Sequence, residues 1–366
     1  MKLKCSRSAL NEAIQLASSI VPTRTPKPVL QCAKLVADQE NQSLRVIATD
    51  NEVTIDYTLS GVLVEVGGTM VLPADRMGRI LHETKDENID LELIESTCHV
   101  TGQDSEYNIY GYDPDDFPVI EIEEQENVLE IEASVLKKMI HMSAFSAARE
   151  SSRYAINGVL WELSGKKLRM VATDGRRLAQ IDGGLSVAIA QDQTAIVPVK
   201  AMAVIERVLT EPMEKVRISI ENNQIVVRTE KVKFSANLVQ GRFPKYTDVI
   251  PTGCDIKAHM QKESFLSAVR RAALLTNEHT NGIVLSYSSD NLCLSSSTPE
   301  AGDAEINMPI AFDGPDMKIG FNPQYILEAL KVIDTPEIVM EFAGENKPGV
   351  LRSGKDFLYV LMPVTV

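Results

Sequence analysis

VATDGRRLA, residues 171–179, has a near copy, IATDNEVTI, at 47–55, 124 residues earlier. Each joins the end of an apolar run to an Asp-led polar step, and Asp-Gly or Asp-Asn between apolar strands reads as a tight turn. The same strand ending and the same turn at that interval point to a duplicated unit. Repeats are sought first, because missing one misassigns the whole fold.

Working outward, three stretches of helical period begin at Ser8 (SALNEAIQLASSI), Ser134 (SVLKKMIHMSAF) and Ser264 (SFLSAVRRAALL). Each serine is placed to cap the helix that follows. The predicted buried stripes are Leu10, Ile14 and Ala17, then Leu136, Met139, Ile140 and Ser143, then Leu266, Val269 and Ala273. Paired alternating runs come next, with SGKK at 164–167 and SSDN at 288–291 as hairpin joints. A second helix is announced by VLPADRMGRIL from 71, IVPVKAMAVIERVL from 196 and IGFNPQYILEAL from 319. Pro73 and Pro198 lie 125 residues apart, and the Phe-Pro pairs at 117 and 243 lie 126 apart. A chain of 366 residues has room for two or three domains. The prediction is an α+β fold of three repeated domains, 1–123, 124–252 and 253–366, each with two helices packed on antiparallel sheet.

Catalytic signatures are missing from the sequence. It has no G-x-S-x-G, H-E-x-x-H, G-x-x-x-x-G-K-[ST] or G-x-G-x-x-G. Its five histidines show no i, i+4 pairing, and its five cysteines form no C-x-x-C pair, so neither a metal nor a cofactor is expected. Cys98 and His99 are adjacent on a predicted strand and point to opposite faces. Asp50 and Asp174 could be paired carboxylates of a hydrolase, but turn chemistry accounts for both. No run of 18 apolar residues occurs and MKLKCSRSAL lacks an apolar core, so a cytoplasmic protein with reduced thiols is expected.

Net charge is −14, which taken globally argues against a nucleic-acid partner. The distribution says otherwise. The six predicted helical segments are together net positive, and acid gathers elsewhere, above all between Asp113 and Glu132. A basic helical layer inside an acidic shell suits a protein that holds phosphate backbones without gripping them.

VATDGRRLA, GRFPKYTDVIP (241–251), FNPQYILEAL (321–330) and the closing YVLMPVTV (359–366) together resemble the bacterial sliding clamps, the beta subunit of DNA polymerase III. The resemblance runs from the first strand to the last residue. It implies a head-to-tail homodimer closing a ring around duplex DNA, helices lining the hole, and tethering without catalysis. It places Arg24, Lys137, Lys138, Arg149, Arg153, Tyr154, Lys200, Arg207, Arg270 and Arg271 toward DNA. It puts Tyr107, Ile109, Leu274 and Leu275 at the dimer contact. A pocket for short apolar motifs of polymerase, clamp loader and repair proteins would be formed by Ile156, Thr173, Gly175, Arg176, Arg177, Leu178, Pro244, Val249, Asn322, Tyr325, Val350, Val360, Leu361, Met362, Pro363 and Val364. Two positions depart from the family's pattern: Arg176 where His is common, and Asp248 where a basic residue is common. A repeat-built peptide scaffold that does not encircle DNA is the competing expectation, and the chain's acidity would suit it.

Overall fold

The computed structural model describes residues 1–118, 122, 128–150, 155–221, 223–276, 282–298 and 302–365. Its elements follow one order three times: a strand, a helix, four or five strands, a helix and three strands. The helices are α1 (Arg7–Ile20), α2 (Ala74–Glu83), α3 (Ala133–Ser143), α4 (Val199–Val208), α5 (Lys262–Ala272) and α6 (Pro323–Val332). Two helices and antiparallel strands in each repeat are the predicted α+β plan.

The apolar periodicities do what their spacing requires. Leu10, Ile14, Ala17, Leu136, Met139, Ile140, Ser143, Leu266 and Val269 are all buried. In the third stripe Ala272 is buried, whereas Ala273 is half-buried where α5 gives way to the 3₁₀ turn Ala273–Leu275. The serine caps are misplaced by the sequence reading. Strand Lys2–Ser6 runs straight into α1, so Ser6 is the cap and its hydroxyl accepts from the Ala9 N–H. Ser134 and Ser264 likewise fall inside the first turns of α3 and α5, and Gln261 precedes α5 without a side-chain cap. Glu263 in the first turn of α5 and Arg270 and Arg271 in its last match the helix dipole.

The chain forms two compact units, Met1–Ser134 with Lys200–Leu238, and Val135–Val199 with Val239–Val366. The middle repeat is shared between them because its strands continue its neighbours' sheets. In the first unit, strand Val232–Asn237 pairs with Val53–Ser60 inside an eight-stranded sheet. In the second, strand Arg177–Gly184 pairs with Phe357–Leu361 inside a nine-stranded sheet. The first unit also has a five-stranded sheet ending at strand Glu106–Tyr110, and the second a four-stranded sheet ending at Gly302–Pro309. No described helix is long and apolar enough to cross a membrane.

Candidate peptide pocket and charged surfaces

The turn that ends strand Lys167–Thr173 is an Asx turn. Asp174 Oδ1 accepts the backbone N–H of Arg176 at 2.9 Å and of Arg177 at 3.1 Å. Thr173 Oγ1 donates to the Arg177 carbonyl and accepts from Gly175 N–H. Gly175 takes φ of 87°, a conformation that glycine adopts without Cβ strain. The earlier copy is built the same way. Asp50 Oδ1 accepts from Glu52 and Val53 N–H, Thr49 Oγ1 donates to Val53 O, and Asn51 has φ of 73°. Both aspartates spend one oxygen on the turn and the other on a cation, Lys200 for Asp50 and Arg177 for Asp174. They are turn residues, as the dipeptide chemistry predicts.

Beyond the turn, the even and odd residues of strand Phe357–Leu361 face different neighbours. Leu358 and Val360 join Ala155, Leu160, Val171, Leu178, Ile196, Tyr246 and Val350 in one apolar cluster, with Val239, Phe243, Ile250 and Cys254 packed on it. Tyr359 turns instead toward the helices: its hydroxyl donates to the Tyr325 carbonyl, and its ring packs tilted against Phe145. The C-terminal segment is pinned beside the turn. Met362 N–H donates to Arg176 O at 3.0 Å and Val364 N–H to Gly320 O at 2.9 Å. Asn322 caps α6 by accepting from Gln324 N–H, with Pro323 opening the helix. Turn, closing segment and α6 N-terminus therefore meet at one end of the sheet. Val249 (45% exposed) and Met362 (38% exposed) offer apolar surface there.

Several expected pocket residues fall into this assembly and some do not line it. Leu178, Val350 and Val360 belong to the cluster with Tyr246, Phe243 packs against it, and Ile156, Pro244, Pro363 and Val364 are partly exposed. Leu361 is fully buried outside that cluster. Arg177, expected as a wall, is only 9% exposed and directs its side chain to the helix side of the sheet. Its Nε donates to Asp174, Nη1 to Glu328 and Nη2 to the Phe145 carbonyl, and its guanidinium lies 4.5 Å from the Tyr325 ring centroid. Burial works against this charge, but Tyr359 and Glu328 outweigh it and raise the Arg177 pKa. The sequence reading omitted Ala155, Leu160, Val171, Ile196 and Leu358. Strand alternation carried the missing signal, since cross-strand neighbours of Leu178 share its face. Asp248 forms an exposed ion pair with Lys245 at 3.6 Å, so it does not stand as a bare negative charge. Arg176 is exposed, with no ion pair among the described residues.

Of the basic residues expected at DNA, Arg24, Lys137, Lys138, Arg149, Arg207, Arg270 and Arg271 are exposed. Lys200 is engaged internally, donating to the Ile20 carbonyl at 3.0 Å and pairing with Asp50. Arg153 and Tyr154 lie outside the described residues. At the expected dimer contact, Leu274 is 79% exposed, Leu275 and Tyr107 are half-buried, and Ile109 is buried at 4%. Ile109 therefore serves its own unit's core, and its strand offers outward an open backbone edge and the exposed Tyr110. That strand and Gly302–Pro309 are open sheet edges among the described residues.

Models of the DNA polymerase III beta subunit match the chain three times: its N-terminal domain at residues 1–121, central domain at 130–245 and C-terminal domain at 247–365. The beta sliding clamp of Pseudomonas aeruginosa is 31% identical over 370 residues, covering 100% of both chains. That of Chlamydia muridarum is 27% identical, covering 100% of this chain and 99% of the relative. Among solved structures, a P. aeruginosa sliding clamp bound to griselimycin superposes with a TM-score of 0.93 at 30% identity, covering 100% of both chains. The Bacillus subtilis clamp gives 0.92 at 26% identity, covering 100% of this chain and 99% of that one. A threefold repeat, its duplicated Asx turn and these full-length likenesses converge, and the chain belongs to the DNA polymerase III beta subunit family, the bacterial sliding clamps.

Proposed function

We propose that two copies of this chain close head to tail into a ring that encircles duplex DNA. The ring tethers the replicative polymerase, clamp loader and repair proteins without catalysing a reaction itself. Three domains, 1–123, 124–252 and 253–366, would contribute six to the ring. A replication clamp of this kind works in the cytoplasm. The single observation that carries the closure is the pair of open edges, strand Glu106–Tyr110 in one unit and Gly302–Pro309 in the other. A heterologous contact closes a ring when two unlike surfaces meet, and pairing these edges also removes an aggregation hazard. Tyr107 and the backbone around Ile109 would meet the partner's third repeat, with Leu274 and Leu275 as the apolar contact.

Inside the ring, Arg24, Lys137, Lys138, Arg149, Arg207, Arg270 and Arg271 face phosphates, with Arg153 and Tyr154 alongside. Lys200 contributes through its charge from within its ion pair. Phosphate contact positions without reading sequence, and a sparse lining in an acidic body keeps the grip loose enough to slide. Partner motifs would insert two or three Leu or Phe side chains beside Leu178, Val249, Val360 and Met362. Each anchor contributes about 1.5–3 kcal/mol, and ordering costs offset part of that gain, so partners exchange.

Loading onto nicked circular DNA tests the reading. Retention on circles, followed by release when the circle is cut, marks encirclement. A stable monomer at micromolar concentration, or loss from intact circles at low salt, would overturn it.

A further inference from the structure

The two Asx turns are held in related ways. In the first unit Lys200, at the start of α4, bridges the free oxygen of Asp50 and the Ile20 carbonyl at the end of α1. In the second unit the cation comes from the turn itself. Arg177 bridges the free oxygen of Asp174 and the Phe145 carbonyl just after α3, then reaches Glu328 on α6. In each case a turn aspartate, the end of one helix and the second helix of the next repeat are tied through a single cation.

The second tie stands directly behind the pocket. Each of the three guanidinium nitrogens of Arg177 donates to the protein, and its neighbour Leu178 points into the apolar cluster on the other face. Gln324 donates to the second oxygen of Glu328 at 2.7 Å, so the carboxylate is fixed on both sides. The guanidinium plane covers the Tyr325 ring, whose carbonyl is held by Tyr359.

We propose that Arg177 is a positioning residue of the peptide pocket that makes no contact with the bound motif. With Glu328 it locks the Asp174 turn to α6. This fixes where Arg176, Leu178 and Tyr325 stand before a partner arrives. The inference rests on the peptide-pocket reading above. A site built from parts of three elements loses affinity when its walls relax, and prior fixing of those walls lowers the ordering cost of binding.

Glu328→Gln is the informative variant, because Glu328 lies behind the sheet and glutamine keeps its shape. Titration of the intact homodimer uses a fluorescent peptide carrying two leucines and a phenylalanine. Glu328→Gln and Arg177→Lys should each weaken binding by about tenfold, and the double variant should add little, because both break one tie. Dimer mass should stay at the wild-type value. Met362→Glu, which puts a charge at the pocket mouth, is the control for the site itself. If it weakens the peptide while Glu328→Gln and Arg177→Lys leave the dissociation constant unchanged, the positioning role is wrong and the pocket stands. If Met362→Glu has no effect, the pocket reading fails first. Additive losses in the double variant would instead give Arg177 a contact of its own with the motif and overturn the proposal.

Discussion

Asn51 and Gly175 occupy the same step of the same turn, at φ of 73° and 87°. A side chain there costs energy because Cβ crowds the following carbonyl, although asparagine tolerates it better than most. Asn51→Gly should raise the urea midpoint by about 0.5 kcal/mol equivalent, while Gly175→Ala should lower it by about 1 kcal/mol. A Cβ on Gly175 meets nothing within 4 Å, so that loss would be backbone strain alone. Beside it, Arg176 is an exposed guanidinium whose carbonyl holds the closing segment. A partner motif with a carboxylate next to its apolar anchors should bind more tightly here than the same motif with lysine. Arg176→Glu should invert that order in a peptide titration, and an unchanged order would show that Arg176 stands clear of the motif.

Elements repeat with their ion pairs. Arg45 grips Asp56 across strands Ser43–Thr49 and Val53–Ser60, and Arg169 grips Asp182 across Lys167–Thr173 and Arg177–Gly184, with Nε–O distances of 3.1 and 2.7 Å. Burial raises the Asp182 pKa, but Arg169 and Lys167 together outweigh it and hold the carboxyl below its ordinary value. A depressed carboxylate adds stability that is complete above its unfolded pKa, about 3.9, and is lost as pH falls through the folded one. Asp182→Asn should therefore cost about 1 kcal/mol at pH 7, with the gap to wild type closing only below about pH 4. A gap that stays constant down to pH 2 would refute the assignment. Helices and hairpins were legible at this scale because period and turn chemistry are local: Gly165 and the Ser288–Asn291 joint fall where SGKK and SSDN predict. The pairing of Val232–Asn237 with Val53–Ser60 was not, because nothing near either strand names a partner so distant in sequence. The ties of Arg177 were not legible for the same reason. Its place behind the sheet depends on Phe145, Tyr325 and Glu328, which lie far away along the chain.

At the scale of the molecule, duplication leaves two comparable turns but unequal apolar clusters: the first copy's holds only Cys32, Val71 and Phe117, with Val29 and Ile47 packed on it. Leu160 pairs with Val171 as Lys34 pairs with Ile47, and Leu178 pairs with Val360 as Thr54 pairs with Ser235. Lys233 likewise stands where the second copy has Leu358. Polar side chains thus stand at the first copy's equivalent positions, so the second copy's cluster is the motif site expected on each protomer, two in a closed dimer. Whether those sites travel with DNA depends on closure, and closure depends on exposed surface. Leu274 is 79% exposed on its own protomer, so Leu274→Asp should leave the fold within about 0.5 kcal/mol of wild type. In a head-to-tail ring of two, one substitution reaches both contacts, and burying an unpaired carboxylate at each is costly. The expected result is a monomer by solution mass and loss from circular DNA, with the wild-type dissociation constant for the fluorescent peptide. A variant that remains dimeric would move the interface away from Leu274, and one that loses peptide binding as well would place this leucine in the core of its unit.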